Sequence, residues 1–478
     1  MSSYNFKLKF NRSFFRELFQ DLREAIGGSE RDFTQIPMSK AILLLSIPMV
    51  LEMIMESVFA LVDIFFVSRL GAEAVATVGI TESLMTIVYA IGIGLSVGTT
   101  ALVSRRIGEK KPGEAAVAAV QAIFTGLVVS LVFTAAGIFY AKDLLRLMGA
   151  SEETVEMGYM YPAIMLGGNA VIMLLFIINA VFRSSGDAAI SMRVLWFANI
   201  LNIVLDPLLI MGIGPFPEMG VQGAAVATNI GRGLAVVYQL YLLVKGRYRV
   251  KVRMEQIVIR IKDIFKLVRL SLGAIGQNLI ATSSWIFLVW VVTSLGEDIL
   301  AGYIIAIRII MFVLLPAWGM ANAAATLVGQ NLGANQPDRA ERSAWIVGIG
   351  NMVFLGLVSI IFIAIPDSFI GFFVNAADEP LVMQSGITCL RVVSFGFLVY
   401  AMGMVMVNSI NGAGDTATPV WVNFIAFWLM EIPLAYLFTI VFDLHIRGVC
   451  YAILIGETAL TLISIAIFRR GKWKLKKV

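Results

Sequence analysis

The sequence predicts an all-α integral membrane protein with twelve transmembrane helices, arranged as two pseudo-symmetric bundles of six. Three observations support this fold class. Apolar residues make up 59% of the 478-residue chain and charged residues 14%, whereas soluble domains carry about 25% charged residues. The chain contains twelve apolar runs, each long enough to span a bilayer as a helix of about 20 residues. The first six runs are repeated by the last six.

The predicted spans are helices because a chain inside a bilayer must satisfy its backbone hydrogen bonds internally. They cover residues 41–67, 73–99, 117–141, 158–182, 188–212, 219–244, 268–295, 299–327, 343–366, 385–411, 416–442 and 446–468.

The positions of Lys and Arg give the orientation. With the N-terminus inside, 30 of the 37 fall in inner segments or at the inner ends of spans, four in outer loops or at the outer ends of spans, and three deeper within spans. Cytoplasmic loops carry such an excess of positive residues. We therefore expect a multi-pass protein of the cell (inner) membrane with both termini in the cytoplasm.

Short motifs recur at a fixed offset and divide the chain. Leu70-Gly71 matches Leu295-Gly296 at an offset of 225, and Gly108 matches Gly333 at the same offset. An even number of spans in each half makes this a parallel repeat. The predicted domains are a cytoplasmic amphipathic arm (1–38, with Phe10, Phe14, Leu18 and Leu22 on one face), an N-terminal lobe (39–244), a cytoplasmic linker (245–267), a C-terminal lobe (268–468) and a basic tail (469–478).

The first span carries three acidic residues, Glu52, Glu56 and Asp63. At 100° per residue they project within about 40° of one another, and the ladder rises about 16 Å. Because a charge in a span costs at least about 2.5–3.5 kcal/mol, this face is expected to line an aqueous cavity or the lobe interior. For Glu52 and Glu56, hydration or pairing with an arginine such as Arg232 is the alternative.

The fifth span carries Asn202 and Asp206, one turn apart and followed by Pro207. If this span packs on the first, Asp63 and Asp206 converge, and Thr228 of the sixth span can add a hydroxyl. Such a group can hold a proton near neutral pH or give oxygen ligands to Na⁺. The residues themselves favour neither ion.

The second half departs from this pattern. The counterpart of Asp63 is Leu288, whereas the counterpart of Asp206 is Glu431. We therefore expect ion coupling in the N-terminal lobe, with Glu431 as a possible contact for a proton or a cationic substrate. Methionines of the first and tenth spans suit either the wall of a cavity for lipophilic ligands or ordinary packing.

Other chemistry is excluded by missing motifs. The single His445 and the two cysteines, Cys389 and Cys450, form no metal-ligand cluster, and both cysteines are expected in the core. No phosphate-binding loop and no serine–histidine pair is present. We expect neither an enzyme nor a cofactor, and no nucleic acid partner.

Several of these motifs together resemble the MATE (multidrug and toxic compound extrusion) family. They include Ile47-Pro48, Val62-Asp63, Arg183-Ser184-Ser185-Gly186-Asp187, Asn202-Ile203-Val204-Leu205-Asp206-Pro207 and Gly329-Gln330-Asn331-Leu332-Gly333-Ala334. The resemblance covers nearly all of residues 40–468. It implies a V-shaped pair of six-helix bundles that exports lipophilic or cationic drugs in exchange for H⁺ or Na⁺.

The resemblance also implies a branch and a coupling site. Asp63, Asn202, Asp206 and, less closely, Thr228 match the N-lobe site of the DinF-like branch. Ala281 and Tyr400 stand near the positions of the acids of the NorM-like branch, whereas Glu52, Glu56 and Glu431 lie outside the family pattern. The predicted function is therefore a multidrug antiporter that contacts membrane lipid and acts as a monomer.

Two alternatives remain at this point. A lipid-linked oligosaccharide flippase of the same superfamily would require a more basic cavity than these acids give. A non-transporting membrane scaffold or channel is the more remote alternative, because it explains neither the repeat nor the acid ladder.

Overall fold

The computed structural model describes residues 12–29, 31–68, 70–246 and 248–478. The regular secondary structure in these ranges is helical. An arm helix, α1 (Arg12–Gly27), precedes twelve long helices. These are α2 (Met38–Ser68), α3 (Ala72–Gly108), α4 (Pro112–Leu147), α5 (Met160–Ser185), α6 (Ala188–Ile210), α7 (Val221–Lys245), α8 (Ile261–Thr293), α9 (Glu297–Gly333), α10 (Pro337–Ala364), α11 (Pro380–Ser394 and Phe397–Gly412), α12 (Ala417–Val441) and α13 (Ile446–Arg469).

Each predicted span coincides with one of these helices. Among the described residues, nine helices are long and apolar enough to cross a membrane, or ten if α11, which bends by 57° at its break, counts as one span. The remaining two predicted spans are α2 and α7, with 31 and 25 residues. At 1.5 Å per residue even α7 is about 37 Å long, enough to cross the hydrocarbon core. The all-α membrane fold predicted from the sequence is confirmed.

The two halves meet where α3 of the first crosses α9 of the second. A Cβ on Gly108 would lie 2.0 Å from the carbonyl oxygen of Gln330, and a Cβ on Gly333 would lie 2.2 Å from that of Arg105. The halves therefore touch backbone to backbone at two glycines that the repeat makes equivalent. A larger residue at either position would separate them.

The arm and the tail each cross from one half of the molecule to the other at the end of α3 and α9. Arg339, at the start of α10, donates to the carbonyls of Phe33 at 3.1 Å and Ile36 at 2.5 Å. Arg105 of α3 donates to the carbonyl of Lys476 in the tail at 2.5 Å. We call this end, with the linker 245–267, the basic face. Phe10 of the predicted arm pattern lies outside the described residues.

The eleventh span, α12, contains π-helical turns. Within α12 the turns widen to π-helix at Phe424–Glu431 and again at Leu437–Val441, on either side of Pro433. Proline removes a backbone donor, and π turns are frequent at functional sites. The first of these two π-helical segments ends at Glu431, the counterpart of Asp206.

Candidate functional site

The fifth and sixth spans bring Asn202, Asp206 and Thr228 together. With its amide nitrogen toward Asp206, Asn202 donates to Asp206 Oδ2 at 2.8 Å and accepts from the Thr228 N–H at 2.9 Å and hydroxyl at 3.1 Å. The Asp206 side chain is fully buried. Its second oxygen, Oδ1, has no hydrogen-bond partner among the described residues. One oxygen of the carboxyl is therefore held in place and the other is free to take a ligand.

A glycine of α7 makes this contact possible. A Cβ on Gly231 would lie 2.9 Å from the carbonyl oxygen of Ala198 and 3.4 Å from Cβ of Asn202. Because Gly231 has no side chain, α7 packs directly on α6 at the level of Asn202. This close packing places Thr228, less than one turn earlier on α7, within hydrogen-bond reach.

Asp63 comes from α2 and is half-buried. It lies near enough to Asp206 for the two charges to interact. In the described part of the chain Asp63 makes no hydrogen bond or ion pair. The two carboxylates predicted to converge are thus in one region of the first half.

Glu56, two turns before Asp63, has partners on two other helices. Its Oε2 accepts from the amide of Asn199 at 3.1 Å, and its Oε1 accepts from Arg232 at 3.2 Å. The Arg232 guanidinium also lies 5.3 Å from the ring centre of Phe59. The arginine pairing left open by the sequence is therefore present for Glu56.

Glu52 has a partner that the sequence pattern did not single out. Its Oε1 accepts from Arg183 Nη1 at 2.8 Å, and Arg183 Nη2 lies 3.4 Å from the Ser96 hydroxyl. Glu52 is fully buried and Arg183 is 8% exposed. The pair joins α2 to the end of α5, so Glu52 is a paired charge rather than a hydrated one.

The second half repeats this connection without charges. Gln277 stands 225 residues after Glu52, and Asn411 stands 228 residues after Arg183. Their side-chain amides exchange two hydrogen bonds, at 3.0 and 3.1 Å. The same link between equivalent helices is therefore an ion pair in one half and an amide pair in the other. The repeat offsets in the sequence identify Gln277 and Asn411 as the counterparts of Glu52 and Arg183. A search for pairs of oppositely charged residues does not find them.

A small cavity of about 20 Å³ lies between the halves near these two pairs. Seven of its ten lining residues are polar: Ser96, Thr100, Arg183, Asn322, Thr326, Asn408 and Asn411. The methionines of the first and tenth spans do not line it. Met49, Met404, Met402 and Met406 pack in the hydrophobic core, so the packing alternative holds for them.

The second half carries two acids near α12, a buried Glu431 and a half-buried Glu457. Glu431 is 5% exposed, and a Cβ on Gly456 would lie 2.8 Å from its Oε2. Glu457 interacts electrostatically with Glu431, and its own Oε2 is buried without a hydrogen-bond partner among the described residues. Glu431, predicted as a second site, therefore has an acidic neighbour on α13. Cys389 and Cys450 are free and buried, as expected.

The chemistry available to these sites follows from burial. A buried carboxylate without a partner is costly in its charged form, so it either takes a proton or holds a cation. Carboxylate, amide and hydroxyl oxygens are also ligands for hard cations. Within the described ranges no group of three or more His, Cys, Asp or Glu residues could hold a metal ion. The Asp206 site contains groups of both kinds, a buried carboxyl with one unpaired oxygen and an amide and a hydroxyl beside it.

Comparison with known proteins identifies the family. The family model MatE matches residues 48–208 and 274–437, one segment in each half. The chain is 24% identical over 447 residues to a probable multidrug resistance protein NorM of Thermotoga maritima, covering 92% of this chain and 94% of that one. It is 22% identical over 439 residues to the multidrug export protein MepA of Staphylococcus aureus, covering 91% and 94%. An FAD transporter of Shewanella oneidensis is 29% identical over 308 residues, 64% of this chain and 68% of that one.

Solved structures agree with the sequence comparison. A crystal structure of a MATE in complex with MaL6 superposes with a TM-score of 0.87 at 26% identity, over 93% of this chain and 99% of that one. A transporter of the MOP superfamily from Pyrococcus furiosus, described as having a binding pocket of reverse polarity, superposes with a TM-score of 0.86 at 26% identity, over 93% and 98%. The chain therefore belongs to the MATE family of multidrug transporters and is a multi-pass membrane protein.

Proposed function

We propose that this protein is a secondary active antiporter that exports lipophilic or cationic organic compounds in exchange for inward H⁺ or Na⁺. The observation that carries the proposal is the buried Asp206 carboxyl, with one oxygen bonded to Asn202 and the other unpaired. Asp63 lies near it. Together with the hydroxyl of Thr228, these groups would form the ion site of the N-terminal lobe.

Coupling requires that ion and drug favour opposite states of the transporter. The close approach of the two lobes at Gly108 and Gly333 supports a state closed at the basic face. We infer that the basic face is cytoplasmic and that this state opens to the other side. An ion arriving from outside would neutralise the Asp206 site and favour release of the drug. The neutral, less hydrated site then lowers the cost of closing the lobes around it.

Glu52 and Glu56 take a different role in this proposal. Each is already paired with an arginine, Arg183 or Arg232, so neither offers a free carboxylate to the coupling ion. We assign them to positioning α2, on which Asp63 lies. Glu431 and Glu457 are then a second pair of acids, available to a proton or to a cationic substrate in the C-terminal lobe.

The flippase alternative requires a cavity that attracts an anionic head group. The arginine that lines the cavity between the lobes, Arg183, has its charge balanced by Glu52 at 2.8 Å. The remaining polar lining residues are neutral amides and hydroxyls. This arrangement favours the antiporter over a carrier of lipid-linked oligosaccharides.

The test is ethidium efflux from proteoliposomes under an imposed pH gradient or an imposed Na⁺ gradient. Wild type, Asp63→Asn and Asp206→Asn are compared with Glu297→Gln, which removes an exposed acid at the start of α9. We expect one gradient to drive efflux in wild type and in Glu297→Gln. The same gradient should drive little or none in the two aspartate variants.

Other outcomes would change the proposal. Efflux that survives in both aspartate variants would move coupling to Glu431 and Glu457. Efflux that neither gradient drives in wild type would reject cation antiport and favour the flippase.

A further inference from the structure

The linker between the lobes is a fixed part of the first lobe. Val250 and Val252 are 1% and 8% exposed and lie in the core of that lobe. The Val252 N–H donates to the carbonyl of Leu243 at 2.8 Å. Because alternate residues of an extended chain point in opposite directions, Lys251 and Arg253 face outward, and both are exposed.

The next stretch, residues 257–260, has no regular secondary structure and lies against α4. The side chain of Gln121, 1% exposed, spans two of its backbone groups: its Nε2 donates to the Val258 carbonyl at 2.5 Å and its Oε1 accepts from the Arg260 N–H at 3.0 Å. Gln121 lies within the predicted third span. Backbone groups near the hydrocarbon must be satisfied by protein, and Gln121 does this for two of them.

Exposed apolar side chains occur within this stretch and on both sides of it, next to charged residues. The most exposed are Met254 (86%), Ile257 (58%), Ile259 (62%), Ile261 (79%) and Phe265 (71%). They continue the lipid-facing surface of the spans at the level of the basic face. An exposed apolar surface of this kind is stable when it inserts into the boundary between headgroups and acyl chains.

A stripe of positive charge lies beside these apolar residues on the first turns of α8. Lys262, Lys266 and Arg269 fall within an arc of about 60° on the helix. All three are exposed, and none forms an ion pair with a described residue. Arg260 differs from them, because it pairs with Glu114 at 2.8 Å and lies 3.8 Å from Asp263.

The facing acids do not cancel the stripe. Glu114 and Asp263 are engaged by Arg260, and Glu255 is exposed in the turn at Met254–Gln256. Three positive charges therefore remain unpaired next to an apolar segment that is rigidly held by Gln121.

We propose that this surface is a binding site for an anionic glycerophospholipid of the surrounding leaflet. Ile257, Ile259 and Phe265 insert beside the acyl chains, while Lys262, Lys266 and Arg269 hold the headgroup phosphate. Each basic residue near an anionic membrane surface strengthens binding about fivefold, so the three residues together should increase the affinity for an anionic lipid about 100-fold. The site is independent of the Asp206 site and of the antiport proposal.

The test is native mass spectrometry of the full-length protein in neutral detergent, titrated with dioleoylphosphatidylglycerol or dioleoylphosphatidylcholine. Wild type is compared with Lys262→Gln/Lys266→Gln/Arg269→Gln. The matched control is Arg470→Gln/Lys472→Gln/Lys477→Gln, which removes the same charge from exposed residues of the tail on the same face. We expect wild type and the control to prefer phosphatidylglycerol, and the α8 variant to lose about 100-fold in its affinity for phosphatidylglycerol.

A second variant tests the apolar part of the site. Ile257→Ser/Ile259→Ser keeps every charge, and we expect it to weaken binding of both lipids at unchanged headgroup preference. Three outcomes would overturn the proposal: equal binding of the two lipids by wild type, equal loss in the α8 and tail variants, or full binding by the isoleucine variant.

Discussion

The buried ion pair between Glu52 and Arg183 can be replaced by its own counterpart in the second lobe. The pair is 2.8 Å long and both side chains are nearly inaccessible. Gln277 and Asn411 make the equivalent contact with two hydrogen bonds, at 3.0 and 3.1 Å. We predict that Glu52→Gln alone and Arg183→Asn alone each destabilise the protein, and that the double variant restores most of the loss.

The magnitude follows from burial. Removing one partner of a buried pair leaves the other charge uncompensated and costs about 3–5 kcal/mol. At about 2–4 °C per kcal/mol for a cooperative unit of 150–250 residues, each single variant should unfold about 6–20 °C lower. The double variant contains a neutral amide pair and should lie within about 1 kcal/mol of wild type, since one neutral hydrogen bond contributes about that much.

The two cysteines supply the assay. Cys389 and Cys450 are fully buried, so a thiol-reactive fluorescent dye reports unfolding as the detergent-solubilised protein is heated. Two results would refute the reasoning. One is single variants that unfold at the wild-type temperature, and the other is a double variant that loses as much as the two single losses added together.

Three further predictions concern the contacts at the basic face. Gly333→Val should hold the lobes apart, because its Cβ would lie 2.2 Å from the Arg105 carbonyl oxygen. We expect this variant to insert into the membrane but to lose ethidium efflux, and normal efflux would contradict the prediction. Trp473→Ala should lower the free energy of unfolding by about 3–5 kcal/mol, because the ring is 1% exposed and stacks 4.6 Å from the ring of Phe468. The thiol-dye assay checks this, and an unchanged unfolding temperature would show that the tail is not packed. Arg339→Ala should speed hydrogen exchange of residues 31–37, because Arg339 binds the carbonyls of Phe33 and Ile36. The exposed control Arg342→Ala should not.

The fold was predictable because its signals are local or periodic. Twelve apolar runs, the charge bias and the offset of 225 each depend on the order of residues alone. The same offset identifies Gly108 and Gly333, which the structure places at the contact between the lobes. The family match in both halves follows from the same repeat.

The environments of the three acids on α2 were not predictable in the same way. Their spacing places them on one face, but their partners come from helices far along the chain: Arg183 from α5 for Glu52, and Arg232 from α7 for Glu56. Asp63 has neither. A periodic pattern gives the direction of a side chain and contains no information about which distant residue meets it.

The central claim is that the carboxyl of Asp206 links drug binding to ion binding. It is tested most directly by the affinity of the purified protein for ethidium, measured across pH at fixed Na⁺ and across Na⁺ at fixed pH. Because linkage is reciprocal, a coupling ion must change the affinity for the drug. We predict that one of the two ions weakens ethidium binding in wild type and that Asp206→Asn abolishes this dependence while still binding ethidium. An ion dependence that persists unchanged in Asp206→Asn would contradict the claim.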